Sequence, residues 1–420
     1  MAKFLRRLCL IALKKSKCRN DIIIISLLVG LLVIFGCIMV YSASFYSANY
    51  HYGNKYFFLF KQLLGVVLGV FAMIALTFID YHLLNKYKWL IVGGTFLLLA
   101  LVFVPGLGME SYGAKRWVSL LGFSIQPSEI AKFALVIFTA GYMSDHHDKV
   151  KTFKGLLPVL IVGGLMCILI MLEPSMSVTM CIAFVTLFML IIGGMSKKHT
   201  LMFSIPAGAM VPLLIVLEPY RLKRLLAFID PWASPQGEGF QLIQSLYSLG
   251  DGGWFGVGLF NSRQKYLFLP FAESDFILSI IGEEIGFVGT TLLMAVFFLL
   301  VYRLIKIALS AKDRFGAMLV SGVAFIIAVQ TLLNIAVVTG SIPPTGLPLP
   351  FISSGGTSVM VFMAGIGICL NVLRQSKGED VSVISHQKLK RLKLNKKQTC
   401  LLYTSPSPRD TERWSKESYA

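Results

Sequence analysis

The residues best placed to do chemistry lie in the stretch FLPFAESDFILSIIGEEIGFVG, Phe268 to Gly289, where Glu273, Asp275, Glu283 and Glu284 sit inside or just before an apolar run. Ionised carboxylates near hydrocarbon are costly unless paired or watered, so acids in such a place are functional candidates by default. Asp275 stands where a loop meets a helix. It can cap that helix by accepting from free N–H groups, or act as a general base toward a hydroxyl at the membrane surface. Glu283 and Glu284 would lie roughly 12–13 Å deeper on a continuous helix. Helical geometry puts Glu284 on about the opposite face from Asp275 and Glu283 within about 80° of it. Shared protonation of Asp275 and Glu284 is therefore not expected, and a structural ion pair is the better reading of the two glutamates.

Candidate cations precede these acids. Arg263 and Lys265 follow the run GDGGWFGVG, whose Gly250, Gly252, Gly253, Gly256 and Gly258 either converge backbone N–H groups on an anion or permit a tight re-entrant turn, the turn being favoured from glycine content alone. Lys115 and Arg116 precede a helix started by Pro127, whose first turn holds Glu129 and Lys132, an i,i+3 pair able to neutralise itself. The segment TGSIPPTGLPLPFISSGGTS, residues 339–358, is too rich in proline and glycine for regular helix and ends in Ser353, Gly355 and Gly356 at a hydroxyl-rich helix start.

The elements that must position these groups are membrane helices. Of 420 residues, 56% are hydrophobic and 14% charged, and mean hydropathy is +0.74, far from the composition of soluble domains. Apolar runs long enough for a bilayer recur near 22–42, 58–79, 88–105, 126–143, 156–172, 177–194, 200–218, 276–301, 316–339 and 354–373. The expected fold is an all-α polytopic membrane protein of about ten spans: a basic arm 1–21, a membrane domain 22–373 with a large outer loop 219–275, and a basic tail 374–420. Lys86, Lys88, Lys149, Lys151, Lys154, Lys197, Lys198, Arg303, Lys306, Lys312 and Arg314 fall in loops on one side, against Lys55, Lys115 and Arg116 on the other. By the positive-inside rule both termini are cytoplasmic. The two tails carry most of the net charge of +18, so attraction to an anionic inner leaflet explains it better than nucleic acid does. The first apolar run reads as a retained helix, not a cleaved signal. The seven cysteines show no ligand spacing, so neither a zinc site nor a disulfide framework is expected. Residues 399–420 lack any relation to what precedes them and are expected to be artefactual.

The blocks GAKRWV with QPSE, DPWASPQGEGFQLIQSLYSLGDGGWFGVGLFNSRQKYLFLP with SDFILSIIGEE, and PPTGLPLPFISSGGTS together resemble the SEDS proteins (shape, elongation, division and sporulation), over about residues 20–375. DPW, PQGEGFQ and GVGLFNSRQK are more similar to the division branch than to the elongation branch. The resemblance implies a ten-helix peptidoglycan glycosyltransferase that polymerises lipid II in the bacterial inner membrane, partnered by a class B penicillin-binding protein and other division proteins. It maps the family's essential aspartate onto Asp275, its loop lysine onto Lys265, and its paired glutamates onto Glu283 and Glu284. Arg263, Lys265, Lys115 and Arg116, with the Gly256 and Gly258 amides, are then expected to meet the pyrophosphate. Glu129, Lys132, Glu283, Glu284, Ser353, Gly355 and Gly356 are expected to build the cleft. A divalent cation, Mg2+ or Mn2+, could share the charge, though no ligand cluster demands one. Two departures stand out: Pro174-Ser175-Met176-Ser177 replaces the family's Pro-Asp-Leu-Gly, and Ser353-Ser354-Gly355-Gly356 replaces Ser-Tyr-Gly-Gly. A lipid II flippase and a scaffold for a division transpeptidase are the competing classes. Against a transporter, no internal repeat is evident and the polar residues crowd toward one face.

Overall fold

A computed structural model describes residues 2–376 apart from 112–113, 121–122 and 217. The tail 377–420, including the stretch expected to be artefactual, lies outside the described residues. Residues 20–373 form one compact unit; the other comprises 1–19 and 374–420, of which 2–19 and 374–376 are helical.

The helices run in the order α1 (Ala2–Tyr52), α2 (Phe57–Phe78), α3 (His82–Lys86) and α4 (Lys88–Leu101). Then come strands β1 (Gly108–Ser111), β2 (Ala114–Leu120) and β3 (Phe123–Ile125), followed by α5 (Pro127–Asp145), α6 (Phe153–Leu172), α7 (Met176–Ile192) and α8 (Lys197–Val216). α9 (Pro219–Ile229), α10 (Phe240–Gly252), α11 (Ile277–Ser310), α12 (Arg314–Val338) and α13 (Gly356–Ser376) complete the series. Each apolar run read from the sequence coincides with a helix over most of its described residues. Six helices among the described residues are long and apolar enough to cross a membrane, and Lys88–Leu101 and Met176–Ile192 are apolar but shorter. The chain is a multi-pass membrane protein.

Three features differ from expectation. The segment before α5 is not a simple loop: β1, β2 and β3 form an antiparallel sheet in that order, in which alternation such as Trp117, Val118 and Ser119 suits a pleated ribbon. The long loop holds two helices, α9 and α10, of which α10 packs on α11. α11 itself is broken, because Gly286 has φ +69° and ψ −173°.

α5 is the hub of the bundle and packs against α4, α6, α7 and α12. Its Glu129 and Lys132 are fully buried and paired at 2.7 Å, as the i,i+3 spacing predicts. Lys132 Nζ also donates to Gln330 Oε1 at 2.7 Å, Gln330 Nε2 donates to the Pro348 carbonyl at 2.8 Å, and Ser358 Oγ donates to Glu129 Oε2 at 3.2 Å. A buried charge survives only when its remaining lone pairs and protons are satisfied. Here that requirement ties α5 and α12 to the proline-rich loop and to α13.

Candidate active site

Asp275 precedes α11 but does not cap it: the N-cap residue is Phe276, and no side chain caps the helix. Its segment is clamped by the proline-rich loop. Ser354 N donates to the Glu273 carbonyl at 2.9 Å, and Ser353 Oγ donates to the Ser274 carbonyl at 2.7 Å. Asn334 Nδ2 from α12 donates to the carbonyls of Asp275 and Leu347, each at 2.9 Å. Gly346, at φ +67°, passes so close that an added Cβ would stand 3.2 Å from Asp275 Oδ2. Gln62 on α2 holds the same loop from the other side, accepting from Gly355 N at 3.2 Å and donating to the Ser353 carbonyl at 3.3 Å. Gly65 allows α2 to approach Gly356 closely, since a Cβ there would lie 2.5 Å from the Gly356 Cα. Ser353, Gly355 and Gly356 thus fasten the proline-rich loop to α2, and Ser353 fastens it to the segment that carries Asp275.

The Asp275 carboxyl is half-buried, and among the described residues no group donates a hydrogen bond to it. Burial pushes its pKa up to about 6, while Arg116 and then Arg224 pull it down. Burial likewise raises neighbouring Glu273, and the charge of Asp275 adds to that. Asp275 is therefore a carboxylate poised near neutrality within the field of two guanidiniums. Arg116, on β2, is half-buried and anchored through Nε to the Glu173 carbonyl at 3.2 Å and through Nη2 to the Pro174 carbonyl at 2.6 Å. The side chain of Lys115 lies outside the described residues. Arg224, on α9, faces Glu238 at 3.8 Å.

Lys265 is placed differently from expectation. It is 1% exposed, and its Nζ lies 3.0 Å from Glu284 Oε1 and 3.3 Å from Ser42 Oγ. Its charge is consumed by an acid buried in α11, so it holds the loop to the helix and does not reach toward a pyrophosphate. Ser42 Oγ donates to the same Glu284 oxygen at 2.6 Å. Glu283 accepts from Ser248 Oγ at 3.0 Å, Ser262 Oγ at 2.6 Å and Arg263 N at 2.6 Å. The Arg263 side chain is exposed.

The glycine run is likewise structural. Gly256 N donates to Gly252 O at 2.7 Å, Val257 N to Glu283 O at 2.9 Å and Gly258 N to Glu284 O at 3.0 Å. Phe287 N and Val288 N, freed by the break, donate in turn to the carbonyls of Gly253 and Trp254. The amides of Gly256 and Gly258 are spent on backbone carbonyls and cannot cradle an anion, which corrects that expectation. Gly256 is required there: at φ +80°, its Cβ would sit 2.2 Å from Glu284 O.

Arg224, Asn334, Gly346 and Glu173 were not singled out from the sequence. Arg224 had a signal in the amphipathic run YRLKRLLAFI. Glu173 had one in being an acid at the end of an apolar run. Asn334 and Gly346 act through backbone proximity, which spacing does not encode.

Residues 22–378 match the sequence profile of the FtsW, RodA and SpoVE cell cycle proteins. The chain belongs to this family. It is 39% identical over 359 residues to a protein of Geobacter sp. (strain M18) named probable peptidoglycan glycosyltransferase FtsW, covering 85% of this chain and 98% of the relative. It is 38% identical over 363 residues to stage V sporulation protein E of Bacillus subtilis (strain 168), covering 86% and 99%. Among solved structures, a chain of a peptidoglycan synthase complex that coordinates polymerization and crosslinking is similar with a TM-score of 0.69 at 29% identity, covering 84% of this chain and 97% of that one. The rod shape determining protein RodA of Thermus thermophilus gives a TM-score of 0.62 at 25% identity, covering 84% and 96%.

Proposed function

We propose that this FtsW/RodA/SpoVE family member is a peptidoglycan glycosyltransferase that polymerises lipid II on the outer side of the membrane, with Asp275 as its base. The observation that carries the reading is a half-buried Asp275 carboxyl, its pKa pushed by burial up to about 6, lying in the fields of Arg116 and Arg224. The acceptor sugar hydroxyl gives its proton to Asp275 as its oxygen bonds to the anomeric carbon of the donor. The bond from that carbon to the diphosphate oxygen breaks, configuration inverts, and undecaprenyl diphosphate leaves with the electron pair. Arg116 and Arg224 supply positive charge where negative charge develops. Among the described residues no three His, Cys, Asp or Glu side chains form a metal-ligand cluster, and the proposal routes no step through Mg2+ or Mn2+.

The partner proposed is a crosslinking transpeptidase of the class B penicillin-binding type, acting with other membrane proteins of the division septum. The synthase complex to which this fold is similar joins polymerization and crosslinking. Both termini are proposed to be cytoplasmic on the loop-charge asymmetry. A flippase needs a polar route through the bundle; the buried Glu129 and Lys132 of α5 are instead paired with each other, and Glu284 of α11 with Lys265. The test is polymerisation of lipid II by the purified protein, with and without the transpeptidase. Absence of glycan under both conditions would reject the reading.

A further inference from the structure

Near its start α2 carries a cation that the clamps around Asp275 do not use. Lys61 is exposed, no carboxylate pairs with it among the described residues, and its Nζ rests over the Phe57 ring, 4.3 Å from the centroid. A lysine at the end of an apolar helix is commonly an anchor that snorkels to the membrane surface. The position of Lys61 around the helix argues for more. At 100° per residue it stands about 40° from Gly65, which packs on Gly356, and about 80° from Phe71, which is 74% exposed. An anchor alone would share the face of Phe71; Lys61 borders the packed face instead.

The neighbouring contacts bring Lys61 to the edge of the site. Its carbonyl would stand 3.1 Å from a Cβ added to Gly356, at the start of α13. Gln62, the next residue, holds Ser353 and Gly355, and Ser353 Oγ in turn holds the Ser274 carbonyl beside Asp275. The contacts from Lys61 to Asp275 thus run through one loop. On one side of Lys61 lies the exposed apolar surface of α2, and on the other the loop that clamps Asp275. A lipid-linked substrate needs that arrangement: its chain stays in hydrocarbon, its sugar reaches the base, and the diphosphate joining them must lie between. An ammonium there can meet phosphate oxygens through charge-assisted hydrogen bonds.

We propose that Lys61 is a binding residue for the diphosphate of the lipid-linked substrate, donating N–H to its non-bridging oxygens at the membrane edge of the site. The proposal deepens the glycosyltransferase reading above and rests on it. Lys61 makes and breaks no covalent bond; it holds the diphosphate while the bond to the anomeric carbon breaks and the leaving group gains a negative charge. The substrate is already anionic before that step, so the contact is made in the ground state and its loss appears chiefly in KM.

The experiment is polymerisation of lipid II by the full chain in detergent, for wild type, Lys61→Gln, Lys61→Arg and Lys55→Gln. Lys61→Gln should raise KM about tenfold with kcat and melting little changed, as loss of one charge-assisted hydrogen bond implies. Lys61→Arg keeps the charge and should stay within about threefold of wild type. Lys55→Gln removes an exposed cation that lies over Tyr56 and should leave KM unchanged. An unchanged KM in Lys61→Gln, a rise as large in Lys61→Arg, or an equal rise in Lys55→Gln overturns the proposal. A second measurement needs neither a variant nor turnover. Undecaprenyl diphosphate should protect Lys61 of the wild-type chain from an amine-reactive label read by mass spectrometry, while Lys55 stays labelled. Phosphatidylglycerol at the same concentration should not protect it; equal protection by both lipids, or by neither, overturns the proposal. If wild type makes no polymer, the glycosyltransferase reading fails, and the labelling still reports on Lys61.

Discussion

At the scale of single residues, the bundle contains two kinds of acid, and their surroundings separate them. Asp275 has charge near it but no hydrogen-bond donor among the described residues, whereas Glu283 accepts from hydroxyl and amide donors and Glu284 Oε1 from hydroxyl, amide and ammonium donors. Asp275→Asn should leave the fold intact and abolish glycan formation on gels, because the amide matches the acid in shape but cannot take a proton. Wild-type rates in that variant would return Asp275 to a structural role. The sign of the pH dependence follows from the raised pKa: the base is protonated and inactive below about pH 6, so activity should rise as pH climbs through that value. A profile flat between about pH 5 and 7 contradicts the assignment. Lys265 makes the opposite prediction. Lys265→Met leaves Glu284 buried without its cation and should cost about 3–5 kcal/mol of stability, read as a lower melting temperature in detergent, and adding Glu284→Gln should recover part of it. Normal melting with a raised KM for lipid II would restore Lys265 to the substrate.

At the scale of elements, the decisive object is the joint between the glycine loop and the break in α11. The freed backbone groups at the break find partners in residues 253–258, and those of the loop find partners in the helix, which is the condition for irregular backbone inside a membrane bundle. Gly256→Ala should therefore lower melting strongly, because its Cβ meets a carbonyl at 2.2 Å. Gly250→Ala is the control, since nothing lies within 4 Å of its added Cβ and alanine favours a helix by about 1 kcal/mol over glycine. Equal melting of the two variants would remove the joint from the account. Much here was legible in sequence: the apolar runs, the Glu129–Lys132 pair and the bracing role of the paired glutamates all follow from period and charge. The break at Gly286 was not, because an isolated glycine in an apolar run looks the same whether the helix continues or stops. The sheet at 108–125 was hidden for a related reason, as three short strands beside a membrane carry little pattern. Lys265 misled because an outer-loop lysine suggests a ligand until its buried partner is seen.

At the scale of the whole molecule, the groups that bear on Asp275 come from β2, α9, α12 and the proline-rich loop, so the site exists only when distant parts of the chain have met. If all of them face outward, lipid II presented on the outer side of sealed vesicles should be polymerised without crossing the bilayer. One assay scored for chain length and for lipid sidedness checks this, and head-group movement without polymer would favour the flippase. The order of the partners along the chain has a consequence for biogenesis. Ser42, Ser248, Ser262 and Lys265, which satisfy Glu283 and Glu284, all precede those acids, so a nascent chain emerging N-terminus first can seat its costly carboxylates as soon as α11 is made. Asn334, Gly346 and Ser353, which set Asp275, are synthesised afterwards. The ribosome thus completes the protein's ballast before its blade, and a chain stalled after α11 would be a membrane-stable but inert intermediate.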